Sequence, residues 1–228
     1  VDYSHDTATS SPTGLLAANW CGMGASSSRA NAIPLKGPGN LEVPVSLGAF
    51  SRNYGPQGTD FGYFGGGRNP STVSTVDRID YSNDTATVST KGPLSSARYN
   101  VSATGNAPFG YFAGGNPSSA VSTVDRVDYS NDTAVAVARG PLSAVSPGGA
   151  ASLGNSNFGY FAAPGNSSKV DRIDYSNDSA TASPKGPLSV TKYSRAGTGN
   201  ADFGYVGGGA PGPVSTVDRI DYSNDSAT

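Results

Sequence analysis

The chain has 228 residues, enough for one or two domains, and its 15 Lys and Arg against 17 Asp and Glu give a net charge of -2. That balance excludes the basic face that holds nucleic acid, and no apolar run reaches the length of a membrane span. With only 14% charged and 36% hydrophobic residues, the composition is too uncharged for charge-driven disorder and suits a β-rich extracellular or structural protein with a tendency to self-assemble.

Val1 to Thr9, reading VDYSHDTAT, is a worn copy, three residues short, of a stretch that returns whole in every later unit: VDRIDYSNDTAT from Val76, VDRVDYSNDTAV from Val124, and VDRIDYSNDSAT from Val170 and Val217. The intervals are 46–48 residues, and a period of that size marks a repeat architecture. Because the chain opens inside a copy of the repeat, it reads as a piece of a longer polypeptide. Residues 10–34 have no later counterpart when the chain is anchored on its Lys-Gly-Pro triplets. Asp6 and Lys36 are 30 residues apart, whereas Asp84 and Lys91 are seven apart. We therefore expect an insertion at 10–34, a long loop that packs Leu15, Leu16, Trp20, Cys21 and Met23 over one end of the array or offers Trp20 as a binding anchor. Repeats follow at about 35–89, 90–137, 138–183 and 184–228, all within a single array.

Each regular unit divides into four short segments. KGPLS leads into a mixed stretch, FGYF ends in glycines, STVDRIDYS follows, and a Thr/Ala/Ser run closes the unit. All four have strand length and strand composition, and Gly, Pro, Asn and Asp separate them. Ser-Asn-Asp is a turn composition, since Asn and Asp side chains bond local backbone. In VDRID, Val76, Arg78 and Asp80 share one face while Asp77, Ile79 and Tyr81 share the other, so apolar residues fall on both. That predicts a strand buried between two neighbours rather than a half-exposed hairpin. No segment reads as an amphipathic helix.

Four strands in such a period match a β-propeller blade. The signals resemble a kelch repeat: Tyr63-Phe64 before Gly65-Gly66, Asp80-Tyr81 before Asn83-Asp84, then Pro93 and Arg98. The chain departs from the kelch pattern in three ways. Thr87 stands near the position of the kelch tryptophan, Asp precedes Tyr, and the third unit has Ala162-Ala163-Pro164 for the double glycine. The wording DRIDYSNDTAT, KGPLS and FGYFGGG also looks like the kelch-like repeats of virion structural proteins of marine phages, cyanophages among them. These resemblances imply an all-β, kelch-like β-propeller of about four and a half repeats, part of a larger array, in a tail, fibre or capsid-surface component.

Little catalytic chemistry is on offer. His5 is the only histidine and Cys21 the only cysteine, so no internal disulfide, no Cys/His zinc cluster and no histidine-rich copper site of the kelch oxidase type is available. A Ser/His/Asp triad would have to use His5 in an N-terminal turn. The arginines Arg78, Arg126, Arg172 and Arg219 recur once per unit, as do Tyr81, Tyr129, Tyr175 and Tyr222, and recurrence argues for a structural role. We expect Arg78 to pair with Asp77, Asp80 or a neighbouring unit's aspartate. Asp80, Asp84, Asp128 and Asp132 are weak calcium candidates beside the plainer reading as Asx turns. Asn83, Asn100, Asn131, Asn166, Asn177 and Asn224 each begin an N-x-S/T triplet, which bears on glycosylation only in a secreted eukaryotic protein. Phe61, Tyr63 and Phe64 read as packing between blades, and Trp20, Tyr54 and Asn69 as candidate contact residues.

The expectation is a non-enzymatic virion or extracellular protein without cofactors. Its repeated blades form a rigid platform for other virion proteins, copies of itself or host-surface glycans, with no nucleic acid and no membrane insertion. The alternative is a secreted or cell-surface carbohydrate-binding propeller of lectin type, and a third, a propeller hydrolase or oxidase, is disfavoured by the missing histidines.

Overall fold

The computed structural model describes residues 24–27, 61–83, 85–212 and 215–226. Among these residues fifteen strands build four antiparallel sheets, and the helical content is limited to single 3-10 turns. The first sheet holds β1 (Gly24–Ser27), β2 (Phe61–Gly65), β3 (Val76–Asp80) and β4 (Ser89–Lys91). The second holds β5 (Ser102–Gly105), β6 (Phe109–Ala113), β7 (Val124–Asp128) and β8 (Val137–Arg139). The third holds β9 (Ala151–Gly154), β10 (Phe158–Ala162), β11 (Val170–Asp174) and β12 (Ser183–Lys185). The fourth has three described strands, β13 (Ala196–Gly199), β14 (Phe203–Gly207) and β15 (Val217–Asp221). Each sheet is a meander in chain order, as short strands joined by tight turns favour.

The FGYF strand and the VDRID strand pair in the same register in every sheet. Tyr63 lies opposite Arg78, Tyr111 opposite Arg126, Tyr160 opposite Arg172 and Tyr205 opposite Arg219. Alternation then sends the tyrosine of FGYF forward to the next sheet and the second phenylalanine back to the previous one. Three apolar clusters result. Tyr63, Val76 and Leu94 of the first unit pack with Phe112, Val127 and Tyr129 of the second. Tyr111, Val124 and Leu142 meet Phe161 and Ile173 in the same way. Tyr160, Val170 and Leu188 meet Val206, Ile220 and Tyr222. Val124 and Val127, three residues apart on one strand, serve different clusters, so burial of the VDRID strand on both faces is borne out in the second and third sheets, while Val217 of the fourth is exposed.

The sequence-based boundaries need correction at the first unit. β1 lies inside residues 10–34, yet Gly24 pairs with Gly65 as Ser102 pairs with Ala113. Residues 2–27 align without a gap to 174–199, DYSHDTATSSPTGLLAANWCGMGASS against DYSNDSATASPKGPLSVTKYSRAGTG. The extra residues are therefore 28–60, between β1 and β2, where the other hairpins need only 106–108, 155–157 and 200–202. Anchoring on Lys36 misplaced them, because the Lys-Gly-Pro there is not the connection that enters the first sheet. The cuts at 89/90, 137/138 and 183/184 also fall inside β4, β8 and β12.

Phe161→Ala removes a fully buried ring from the junction between the second and third sheets, and should cost about 3–5 kcal/mol in chemical denaturation. Val217→Ala, at the same repeat position as the buried Val124 but 63% exposed, should change stability by less than about 0.5 kcal/mol.

Candidate functional site

The recurring polar residues converge between the sheets rather than in a cleft. The aspartates that end three of the Ser-Asn-Asp turns, Asp132, Asp178 and Asp225, reach the preceding sheet. Asp132 Oδ2 accepts from the Tyr63 hydroxyl at 3.0 Å and from Arg78 at 2.8 Å, with Lys91 Nζ 3.5 Å from Oδ1. Asp178 is held by Tyr111 at 2.9 Å, Arg126 at 2.7 Å and Arg139 at 3.5 Å. Asp225 is held by Tyr160 and Arg172, both at 2.7 Å, and Lys185 at 3.1 Å. The backbone carbonyls of the same three aspartates accept from Gly92, Gly140 and Gly186. Glycine is required at this approach, because a methyl group on Gly92 would run into the Ala134 carbonyl.

Aromatic rings complete each junction. Tyr63 stacks on Tyr129 at 4.6 Å, Tyr111 on Tyr175 at 4.8 Å and Tyr160 on Tyr222 at 4.9 Å between centroids. Arg78, Arg126, Arg172 and Arg219 lie over Phe61, Phe109, Phe158 and Phe203 of their own sheets, 3.9–4.7 Å from the ring centres. Burial pushes the Tyr160 hydroxyl well above the ordinary phenol range, and Asp225 adds to the shift, so it remains a donor. Burial alone would raise the Asp225 carboxyl, but Tyr160, Lys185 and Arg172 outweigh it and hold the group below its usual 3.8.

A second set of acids, one residue into each VDRID strand, fixes the connections. Asp125 accepts from the Ser95 amide at 2.9 Å and pairs with Arg98 at 3.0 Å, and both side chains are fully buried. Asp218 does the same with Ser189 and Arg195. In the third unit Asp171 takes the Ser143 amide at 3.0 Å and the Ser143 hydroxyl at 2.6 Å instead.

These contacts decide among the sequence expectations. Arg78, Arg126 and Arg172 pair with a neighbouring unit's aspartate, one of the three partners foreseen. Arg219 meets no carboxylate among the described residues. As a calcium candidate Asp132 is corrected, since a guanidinium, an ammonium and a phenol occupy its oxygens. Asp80 and Asp128 each accept from the amide and hydroxyl of the serine two residues on, an Asx turn that starts the 3-10 turns Tyr81–Asn83 and Tyr129–Asn131. Asp84, Trp20 and Tyr54 lie outside the described residues.

Asn69 is exposed on the loop between β2 and β3, at the strand ends of the first sheet. There the connections between sheets are bridged to the loops, Tyr99 with Asn116, Ser146 with Val121, and Tyr193 with Ala210. Beside Asn69 an open cleft of about 430 Å³ is lined by Arg68, Pro70, Ser71, Thr72, Tyr99 and Ser118. Arg68 lies 5.3 Å from the Tyr99 ring centre and donates through Nε to the Pro70 carbonyl at 3.1 Å. Sequence reading missed Arg68 and Tyr99. The signal for Arg68 was a cation that breaks the repeat, since Asn116, Gly165 and Ala210 stand at its position, whereas Tyr99 recurs as Tyr193 and carries no such mark.

A scan against protein-family models finds no match for the chain, and a search of curated proteins finds none either.

Asp178→Asn should destabilise the protein by about 3 kcal/mol, because it leaves Arg126 and Arg139 facing a neutral amide in a largely buried junction. Asp128→Asn, at an exposed turn, should cost less than about 1 kcal/mol in the same denaturation series. The depressed Asp225 carboxyl also sets a sign for pH. Its stabilising contribution is complete above 3.8 and disappears as pH falls through the lower folded value. Acid titration of the melting temperature should therefore show a shallower low-pH decline in Asp225→Asn than in the parent chain.

Proposed function

We propose that this chain is a kelch-like propeller-type array that serves as a structural or receptor-facing component of a virion, without enzymatic activity. The observation that supports this reading is the division of labour within the repeat. The residues that stay constant from unit to unit, Tyr, Arg and Asp, are spent on holding one sheet to the next. The residues that vary lie in the connections that enter each sheet, as in LSSARYNV, LSAVSPGGA and LSVTKYSR, where Ser96, Asn100, Val145 and Val190 are exposed. A constant frame with a variable face fits a platform on which several weak contacts add up through repetition. Immunogold electron microscopy of virus particles, using antibody to this chain, should label a capsid or tail surface. Labelling of cell surfaces without particles would replace this reading with the lectin one.

The cleft beside Asn69 favours the second reading, a carbohydrate-binding array. It pairs an aromatic ring with a guanidinium and several hydroxyls, the groups that stack on and bond to sugars. If glycans are its ligands, Tyr99→Ala should lower glycan-array signal at least about tenfold, the loss of a single stacking anchor. The melting temperature should stay within a few degrees of the parent. Unchanged binding would remove the cleft from consideration, and turnover of any glycoside would overturn both readings.

A further inference from the structure

The two ends of the described array carry unused halves of the junction that joins its sheets. At the fourth sheet, Tyr205, Val217 and Arg219 occupy the positions of Tyr160, Val170 and Arg172. Those three residues clamp and stack the next turn in the third unit, but among the described residues their fourth-unit equivalents have nothing to clamp. Val217 is 63% exposed where Val170 is 1% exposed. Tyr205 stacks on no second tyrosine, and Arg219 pairs with no carboxylate, among the described residues. At the first sheet the opposite half is bare. Tyr81 is 45% exposed, whereas Tyr129 and Tyr222, its equivalents, are covered by the tyrosine of the sheet before. Phe64 and Ile79 are only partly buried, whereas Phe112, Phe161, Val127 and Ile173 are closed off.

The two surfaces are the two complementary halves of the internal junction's apolar and aromatic contact. One offers a phenol and an unpaired guanidinium beside an exposed valine. The other offers a tyrosine ring on a 3-10 turn with partly buried apolar residues beneath it. The same pairing is made three times inside the chain, from the first sheet to the second, the second to the third and the third to the fourth. We propose that the fourth-sheet face of one molecule docks on the first-sheet face of a second copy, head to tail, and repeats the internal junction between chains. The interface is heterologous, so successive copies extend into a ring or a filament rather than stopping at a symmetric dimer. This inference stands whether or not the protein belongs to a virion.

The test uses the full chain and two variants, each with one face removed. Val217→Glu combined with Arg219→Glu disables the fourth-sheet face, and Tyr81→Glu disables the first-sheet face. All the substituted side chains are exposed, so the internal junctions are left alone. Masses are read by light scattering and native mass spectrometry over a concentration series. The parent chain should form species heavier than its 22.9 kDa monomer, and each variant alone should lose them. An equimolar mixture of the two variants should recover a one-to-one dimer, because each retains the face the other lacks. A parent chain that stays monomeric throughout, as it would if the two faces closed on each other within one molecule, overturns the proposal. So do variants that assemble like the parent, and so does a mixture that stays monomeric.

Discussion

The arrangement of the sheets depends on one carboxylate per junction. Asp132, Asp178 and Asp225 each leave their own turn and enter the preceding sheet, where a phenol, a guanidinium and a third cation converge on them. Through its carbonyl the same residue accepts the glycine amide of the connecting segment. Side chain and backbone of a single aspartate thus fix both the face and the edge of the neighbouring sheet. An apolar contact alone would tolerate sliding, because burial is non-directional. The clamp supplies the direction, and the stacked tyrosines and the valines beneath supply the driving force. Among the described residues the three apolar clusters each join adjacent sheets, so stability approximates a sum of unit and junction terms.

The second acid of the VDRID strand shows what the repeat tolerates. Asp125 and Asp218 are matched by buried guanidiniums, from arginines three and six residues after their connecting serines. Asp171 does without a cation and takes a second bond from Ser143. A buried ion pair contributes little net stability once desolvation is counted, so replacing the cation with a short hydroxyl bond is a small change. The first clamp shows no such freedom across its three junctions. Its tyrosine and arginine are constant, and its third donor alternates only between Lys91, Arg139 and Lys185. Losing one donor there would leave the others gathered around a partly compensated carboxylate.

Much of the fold was legible because it rests on short-range pattern. Alternation in VDRID and FGYF gave strands with two buried faces, and Ser-Asn-Asp gave the turns. The partner of Arg78 was narrowed to three candidates and no further. Choosing Asp132 requires knowing that the next unit's turn overlaps this sheet's front face, a contact across 54 residues. The nearly constant offset among the three pairs, 54, 52 and 53 residues, is visible only once one of them is known. The misplaced insertion has a different cause. A Lys-Gly-Pro triplet is local punctuation and can occur in an added segment. Only pairing of Gly24–Ser27 with Phe61–Gly65 shows where the first sheet takes its edge. Arg68 breaks the repeat and Tyr99 follows it into the fourth unit as Tyr193, so their meeting depends on how a loop of the first unit lies against the connection to the second, which no local pattern encodes.

Identical sequence does not guarantee identical surroundings, and the ends of the array show it. The VDRIDY stretch at Val170 and the one at Val217 have the same residues, yet one valine is closed off and the other is open. Burial is therefore a property of the junction, not of the strand. Repeat arrays that end in solvent carry capping units whose outer faces are polar. Neither outer sheet of the described array is polarised in this way. The fourth keeps its Tyr, Val and Arg, and the first keeps its Phe, Ile and Tyr. A face that keeps the full chemistry of a junction has the same capacity to form one as the three faces that already do. Its partner needs the same stacking ring and the same turn, and a surface that carries them is the first sheet of the described array.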